Sequence, residues 1–187
     1  MGVAKSYIYN KQSRTLRSIY KEGNRGNHYI RFSKEAVFQI SQKIYRGIIM
    51  PHLAIKGRVA KKKQIEQYVV NLCHALNINR FYSKIIFLNF KSDLGDRYGD
   101  CWGDSKESYA EINIARKISG DKVSFNDMMK TLAHEMVHVK QYFRNELNGY
   151  GTTWKGKNAG GYKYENQPWE REAHRLEAKL FKECWPD

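Results

Sequence analysis

Long apolar runs and paired cysteines are absent from this sequence, and each absence excludes a class of protein. No stretch of about 18 apolar residues occurs, so no membrane-spanning helix is predicted. The N-terminus also lacks the apolar core of a signal peptide. The three cysteines, Cys73, Cys101 and Cys184, form no CxxC pair, which excludes a zinc ribbon and a disulfide framework. We therefore expect a cytoplasmic protein with reduced thiols.

Acidic residues are scarce in the first half of the chain only. Residues 1–91 carry 18 Lys and Arg against 3 acids, a net charge of +15, whereas residues 92–187 carry 15 against 16, a net charge of −1. We expect the basic half of the chain to bind a polyanion such as nucleic acid, an acidic protein face or an anionic membrane surface. A merely solubilising surface would have the same composition. The two halves are therefore expected to have different roles or different partners.

The length of 187 residues and the hydrophobic content of 41% fit one globular domain with an appended arm. Residues 1–31 show little periodicity and predict a mostly irregular arm. Ser33 then opens an amphipathic helix that Pro51 ends, and residues 52–63 are interpreted as a basic connector. The predicted division is a basic N-terminal arm with its helix over 1–58 and the main domain over 59–187.

Helical periodicity predicts three helices in the main domain. The first covers residues 64–78. The second begins at Ser124, which forms a variant of the capping box with Asp127. Asn166 is the predicted cap of the last helix, which runs to about Cys184.

Two short segments predict strands. Residues 81–90 are rich in β-branched and aromatic side chains, and residues 109–115 alternate between apolar and polar positions. The exposed edge expected for the strand at 109–115 would suit pairing with an extended peptide. The Gly- and Asp-rich segment 92–108 and the Gly-, Tyr- and Asn-rich segment 146–165 predict long loops.

The stretch 131-TLAHEMVHVKQYF-143 carries the chemistry of the chain, an HExxH motif. Positions i and i+4 share one face of a helix, so His134 and His138 can hold the same zinc ion. Glu135 lies about 100° round the helix, where it can act as general base towards a zinc-activated water. Two unrelated histidines on an ordinary helix are the alternative, and the capped amphipathic setting favours the zinc site.

The run LAHEMVHVKQ resembles the active helix of zincin metallopeptidases, whose two histidines bind zinc and whose glutamate is the catalytic base. The ordered series GDCWGD, EINIA, the HExxH helix and TTWKGK is similar to SprT-like peptidases over about residues 60–160. Small metallopeptidases of this kind are common in phage genomes, and a phage-encoded protein would act in the host cytoplasm.

The resemblance implies a fold and an activity. The expected fold is an α+β, zincin-type single domain, with a small mixed β-sheet packed on the HExxH helix, a C-terminal ligand helix and a basic N-terminal helical extension. The expected activity is zinc-dependent hydrolysis of peptide bonds in a protein or peptide substrate, with Glu135 as general base. Because SprT-like relatives act on DNA-bound proteins, the basic half would bring the enzyme to nucleic-acid-associated targets.

The third zinc ligand departs from the SprT-like pattern. Those proteins typically take it from a histidine four residues before the Trp of a WK pair, but Tyr150 stands at that position before Trp154. The last helix instead carries the pattern E-x-x-A-H from Glu170 to His174, which resembles the third-ligand helix of gluzincins and ImmA-like peptidases. The resemblance implies zinc ligands at His134, His138 and Glu170.

Several alternatives stay open at this point. Glu172 or His174 could supply the third ligand, and Glu170 also fits a first-turn acid that stabilises the helix dipole. The tyrosines between the two helices are candidates for stabilising an oxyanion, although aromatic packing would explain them equally: Tyr150, Tyr162 and Tyr164. The competing function is a nucleic-acid- or partner-binding protein with a structural or vestigial zinc. A small-substrate hydrolase is a third possibility, because HExxH dictates water activation and leaves the substrate open.

Overall fold

The computed structural model describes the backbone of residues 6–10 and 15–19 and the whole of residues 50–186. Strand β1, Ser6–Asn10, pairs antiparallel with β2, Thr15–Ile19. The prediction of an irregular arm is therefore wrong for this part, where Tyr and Ile side chains favour a strand. The helix predicted from Ser33 lies outside the described residues.

A mixed four-stranded sheet is the centre of the fold. Its strands stand in the order β3-β4-β6-β5, with the first three parallel to one another and β5 antiparallel to β6. One face of the central strands is apolar and buried in the core, at Ile86, Leu88, Ile112 and Ile114, whereas Glu111 and Asn113 on the other face are only partly buried. The strands are β3, His52–Lys56; β4, Ile85–Lys91; β5, Gly99–Gly103; and β6, Tyr109–Ala115.

The interpretation of residues 52–63 as a connector is wrong. Residues 52–56 form β3, which pairs along its length with β4. The strand was missed because it is short, ends at the exposed Lys56 and is followed by the exposed Arg58. The predicted division between residues 58 and 59 thus falls inside a β3-helix-β4 unit of one sheet.

The loop predicted for residues 92–108 contains β5, and this changes which strand forms the edge of the sheet. The strand predicted at 109–115 is confirmed as β6, but β6 has a partner on each side, so the expectation of an exposed edge there is wrong. Among the described residues, the strand at that edge of the sheet is β5, and β3 stands at the opposite edge. In the sequence, the two glycines of β5 indicate a loop. The tertiary contacts that require glycine at these positions are not visible there.

Three helices complete the described domain: α1, Lys62–Ala75; α2, Phe125–Phe143; and α3, Pro168–Cys184. The cap predicted at Ser124 is confirmed, since its Oγ accepts the N–H of Asp127 at 3.1 Å and its hydroxyl donates to that carboxylate at 2.6 Å. The cap predicted at Asn166 is wrong. The residue before α3 is Gln167, whose side chain makes no capping bond, and Pro168 occupies the first turn.

Short elements fill the connections. Two small hairpins and one 3-10 helix lie in segments predicted as loops or left unassigned: β7, Lys117–Ile118, with β8, Asp121–Lys122; β9, Thr153–Trp154, with β10, Lys157–Asn158; and Tyr164–Asn166. The architecture is mixed α/β with small sheets and three helices in the described part, which is compatible with the predicted α+β class. No helix among the described residues has the length and apolar character needed to cross a lipid bilayer.

Helix α2 packs against β5, β6 and α3, and the apolar core lies between it and the sheet. Contact with β5 is unusually close because Gly99 and Gly103 face the helix. A Cβ at Gly99 would lie 2.6 Å from Thr131 Cγ2 and 2.9 Å from Glu135 Oε1. A Cβ at Gly103 would meet Tyr142, with three atoms of its side chain within 3.2 Å. Strand and helix therefore approach each other with no side chain between them at these two points.

We expect Gly103→Ala to destabilise the protein by about 1–3 kcal/mol, the usual cost of overpacking a well-packed region. Tyr142 is buried, so its ring cannot easily move away from the added methyl group. Gly160→Ala is the matched control, because its nearest neighbour would be 3.5 Å away in an exposed loop. The measurement is urea unfolding of both variants, and equal midpoints would show that β5 tolerates a side chain there.

Candidate metal centre

A cleft of 850 Å³ lies between α2, α3 and β5. The buried polar side chains His134, Glu135 and His138 reach it from α2, and Glu170 reaches it from the first turn of α3. Its wall on the sheet side includes Gly99 to Cys101 of β5. The two helices that the sequence analysis singled out therefore meet at one site.

Three ligand-type side chains converge in this cleft. The Nε2 atoms of His134 and His138 are 3.2 Å apart. Glu170 Oε2 lies 3.3 Å from Nε2 of His134, and Glu170 Oε1 lies 3.4 Å from Nε2 of His138. Zinc with tetrahedral bonds of about 2.0–2.1 Å has ligand-to-ligand separations of about 3.3 Å. The closest separation in each pair of groups thus matches the spacing between two corners of such a tetrahedron, with Glu170 directing one oxygen towards each histidine.

The remaining nitrogen of each imidazole is oriented by a hydrogen bond. Nδ1 of His134 donates to Glu177 Oε2 at 2.9 Å, and Nδ1 of His138 donates to Gln141 Oε1 at 2.8 Å. Metal-binding histidines usually have such a partner, because it fixes the ring and makes the other nitrogen more basic. Each Nε2 is left directed into the cluster.

Gln141 is fully buried, and its amide is fixed from the other side. Its Nε2 donates to the Trp169 carbonyl at 3.1 Å and to Glu172 Oε2 at 2.9 Å. Both partners are acceptors, so the amide nitrogen faces them and the amide oxygen faces His138. Helix α3 thereby determines which nitrogen of His138 carries the proton.

Electrostatics in the cluster follow from burial and close carboxylates. Burial lowers the pKa of His134 and of His138, but the nearby carboxylates outweigh it, so the pKa of each imidazole is raised. Glu170 acts on both, with Glu177 adding to the rise at His134 and Glu135 adding to it at His138. Burial raises the pKa of Glu170, and its bonds to the two histidines and to Tyr164 hold that pKa well below its usual range. The cluster therefore favours positive charge between its members, supplied either by protons on the imidazoles or by a cation.

Glu135 is buried beside the cluster on the same helix. Burial raises the pKa of its carboxyl group to about 8, with His138 opposing the rise and Glu170 adding to it. Its Oε1 lies close to the backbone of Gly99, as the position of a hypothetical Cβ shows. A carboxylate placed here faces the cleft between the ligand-type residues and the edge strand.

The two alternative third ligands have different positions. Glu172 accepts Lys140 Nζ at 2.9 Å as well as Gln141 Nε2, so it lies on the far side of the Gln141 amide, outside the cluster. His174 lies at the rim, where its side chain is 59% exposed and its ring centroid is 4.6 Å from that of His134. Ligand atoms of His134, Glu170 and His174 come within 4.8 Å of one another, so this second trio could also hold a metal ion. We favour the trio with His138, because its separations of 3.2–3.4 Å match a tetrahedral site and all its members are buried.

Of the three tyrosine candidates, only Tyr164 lines the cleft. Its hydroxyl donates to Glu170 Oε2 at 2.9 Å. Tyr150 is 88% exposed and Tyr162 is 53% exposed, and neither contributes to the cleft wall. Two residues that contact the cluster were not predicted from the sequence, Gln141 and Glu177. The one available signal for Gln141 was an amide placed three residues after His138 on the motif helix.

The chain matches no protein family, no curated protein and no solved structure. Its site is therefore judged by its own chemistry. Two imidazole nitrogens and one carboxylate oxygen are a donor set that zinc accepts, with a fourth position for water in catalytic sites. The residues present fit such an ion, and the cleft beside them has room for a further ligand.

We expect the protein to bind one zinc per chain and to lose it in Glu170→Ala and in His138→Ala. His174→Ala should retain the zinc, and so should Glu183→Ala, an exposed acid near the end of α3 that serves as control. The measurement is elemental analysis after zinc loading and desalting, with circular dichroism to confirm folding. Loss in His174→Ala with retention in His138→Ala would select the rim trio instead, and no zinc in folded wild type would contradict the site altogether.

We also expect Gln141→Leu to weaken zinc binding about 10- to 100-fold, the usual effect of removing the group that orients a ligand. The substitution keeps similar volume but leaves Nδ1 of His138 without its acceptor. Competition with a chromophoric chelator measures the affinity, at a temperature where the variant is folded. Gln67→Leu removes an exposed amide whose partner is Asn71 on α1 and should leave the affinity unchanged. An unchanged affinity in Gln141→Leu would mean that the amide does not position His138.

Proposed function

We propose that the protein is a zinc-dependent metallopeptidase of the zincin type that hydrolyses peptide bonds with Glu135 as general base. The observation that carries the proposal is the convergence of His134, His138 and Glu170 at 3.2–3.4 Å beside a buried glutamate on the motif helix. A chance HExxH sequence would not bring a carboxylate from another helix to the same point. The resemblance to SprT-like and gluzincin-like enzymes is part of this proposal.

His134, His138 and Glu170 are the proposed zinc ligands. Zinc, when bound, supplies a Lewis acid that polarises a carbonyl group and lowers the pKa of a water molecule. Glu177 and Gln141 hold the two imidazoles in the tautomer that such binding needs. The proposed ligand set would need no rearrangement before substrate binds, since these side chains already contact one another.

Glu135 is the proton carrier in the proposed reaction. Its carboxylate takes a proton from the water that attacks the substrate carbonyl and then delivers that proton to the leaving amine. Burial strengthens this carboxylate as a base, because the raised pKa of the carboxyl group stabilises the protonated form that the first step produces. The nearby zinc charge would favour the ionised form needed for the first step.

Tyr164 is the proposed stabiliser of the oxyanion. Its phenol stands at the cleft wall, 2.9 Å from Glu170, and is otherwise largely exposed. A small rotation of this side chain would move its O–H from the carboxylate to a developing negative charge on the substrate. Hydrogen-bond donors aimed at that charge stabilise the transition state more than the ground state.

The substrate is proposed to bind as an extended strand along β5. Within the described residues, β5 pairs on one side only, with β6. Its backbone passes Glu135 at Gly99, so a peptide paired with its outer edge would pass through the cleft beside the cluster. This assigns to β5 the role that the sequence analysis gave to residues 109–115.

The basic half of the sequence supports a nucleic-acid-associated protein as substrate, since a charge of +15 over residues 1–91 favours a polyanion nearby. A second function rests on His174. As a fourth protein ligand it would close the zinc site, and the protein would then be a nucleic-acid- or partner-binding protein with a structural zinc. In that case Glu135 would have no role.

Glu135→Gln separates these two functions. The substitution keeps the shape of the side chain and removes the base, so we expect peptide hydrolysis to fall about 10²- to 10⁴-fold while one zinc per chain is retained. The assay is cleavage of a panel of fluorescently labelled peptides and unfolded proteins by the zinc-loaded enzyme. Glu183→Gln makes the same chemical change at an exposed site and should cleave like wild type. Equal cleavage by Glu135→Gln and wild type would refute the proposed mechanism.

A further inference from the structure

A second cleft, of 770 Å³, lies at the other end of the motif helix. It is formed where the parallel strands β3, β4 and β6 reach their carboxyl ends, at Gly57, Ser92 and Arg116, and where α2 begins. Ser124, Phe125 and Met128 of the first turns of α2 line it, whereas Asp127 faces the first cleft. The two clefts thus lie on different sides of the same turns of helix.

All the charged residues that line this second cleft are positive. Among the residues that line it, four are cationic and none is acidic: Arg58, Arg116, Lys117 and Lys122. Lys61 stands beside them, with its Nζ 5.6 Å from the centre of the Phe125 ring. A concave surface with cations and no carboxylate focuses a positive potential on whatever enters it.

Two of these lysines directly oppose each other. Lys117 of β7 and Lys122 of β8 are partners in the register of the small hairpin, and both line the cleft. Like charges opposite each other on one face destabilise a strand pair. An anion between them would turn this repulsion into attraction, so the hairpin is better suited to an anionic ligand than to solvent alone.

The floor of the cleft is apolar. It is built from Val59, Ala60, Val123, Phe125 and Met128. A ligand that matches both the floor and the rim needs repeated negative charges next to flat, weakly polar groups. Single-stranded nucleic acid has this combination, because its phosphates follow cations while its unpaired bases pack on aromatic and apolar side chains. An acidic polypeptide supplies the charges without the rings.

We propose that the second cleft binds single-stranded nucleic acid, with phosphates on the Arg58, Arg116, Lys117 and Lys122 rim and a base on the apolar floor. The site stands apart from the metal cluster and does not depend on the peptidase proposal. It also includes three cations from the half of the sequence whose net charge is −1, so net charge along the chain does not reveal it.

The test is a fluorescence-anisotropy titration of a labelled single-stranded oligonucleotide with the full chain, repeated over a range of salt concentrations. Each phosphate contact with a single strand contributes about 0.7 to the slope of log K against log salt. The double variant Lys117→Gln/Lys122→Gln should therefore bind more weakly and lose about 1.4 from that slope. Lys106→Gln/Lys157→Gln removes the same charge from exposed residues that line neither cleft and should keep the wild-type slope.

Three results would overturn the proposal. The double variant could keep the wild-type slope, the control pair could lose as much as the double variant, or polyglutamate could compete as well as the oligonucleotide at equal charge. The last result would indicate an acidic protein as the partner. Should the hairpin variant fail to fold, Arg58→Gln tests the same rim from the loop after β3 and should lose about 0.7 from the slope.

Discussion

Two imidazoles and a carboxylate face one another at 3.2–3.4 Å in a buried place, and this arrangement is stable only with positive charge among them. An uncompensated buried carboxylate would cost several kcal/mol, and close acceptors without a proton or cation would repel. The packing of α3 on α2 brings these groups together, with Ala173 and Leu180 buried in the shared core. The packing of these two helices thus also determines the geometry of the candidate site.

The polar network of α3 extends this arrangement outward. Glu172 accepts from both Lys140 and Gln141, and Gln141 in turn accepts from His138. Burial of Lys140 and Gln141 costs little because the polar atoms of each side chain have hydrogen-bond partners. The face of α2 that an apolar stripe would normally occupy is therefore partly polar, and its polar members hold the histidine ring in one orientation.

The sequence predicted the features that depend on local chemistry. Cap and motif lie within one helix, so the bond of Ser124 to Asp127 and the common face of His134 and His138 follow from helical geometry alone. The alternation in β6 was equally visible. Glu170 was predicted only through a family resemblance, since nothing in its own helix distinguishes a ligand from a first-turn acid.

The features that were missed depend on distant parts of the chain. The glycines of β5 resemble a loop, yet they are present because Tyr142 and Glu135 occupy the space where side chains would be. Strand β3 is short and followed by cations, and only its pairing with β4 makes it a strand. The cationic cleft was missed for the same reason, because net charge along the sequence does not show that Arg58 after β3 lies near Arg116 after β6 and the lysines of β7 and β8.

The absence of side chains at Gly99 and Gly103 of β5 has a further consequence for the geometry of the site. Where side chains separate a strand from a helix, each rotamer adjustment or evolutionary substitution alters their spacing. At Gly99 and Gly103 main chain meets helix directly, so the distance between the sheet edge and Glu135 is set by backbone geometry. The position of the Glu135 carboxyl group relative to the sheet edge is therefore a property of the backbone, and the proposed alignment of a peptide with that carboxyl group would follow from it.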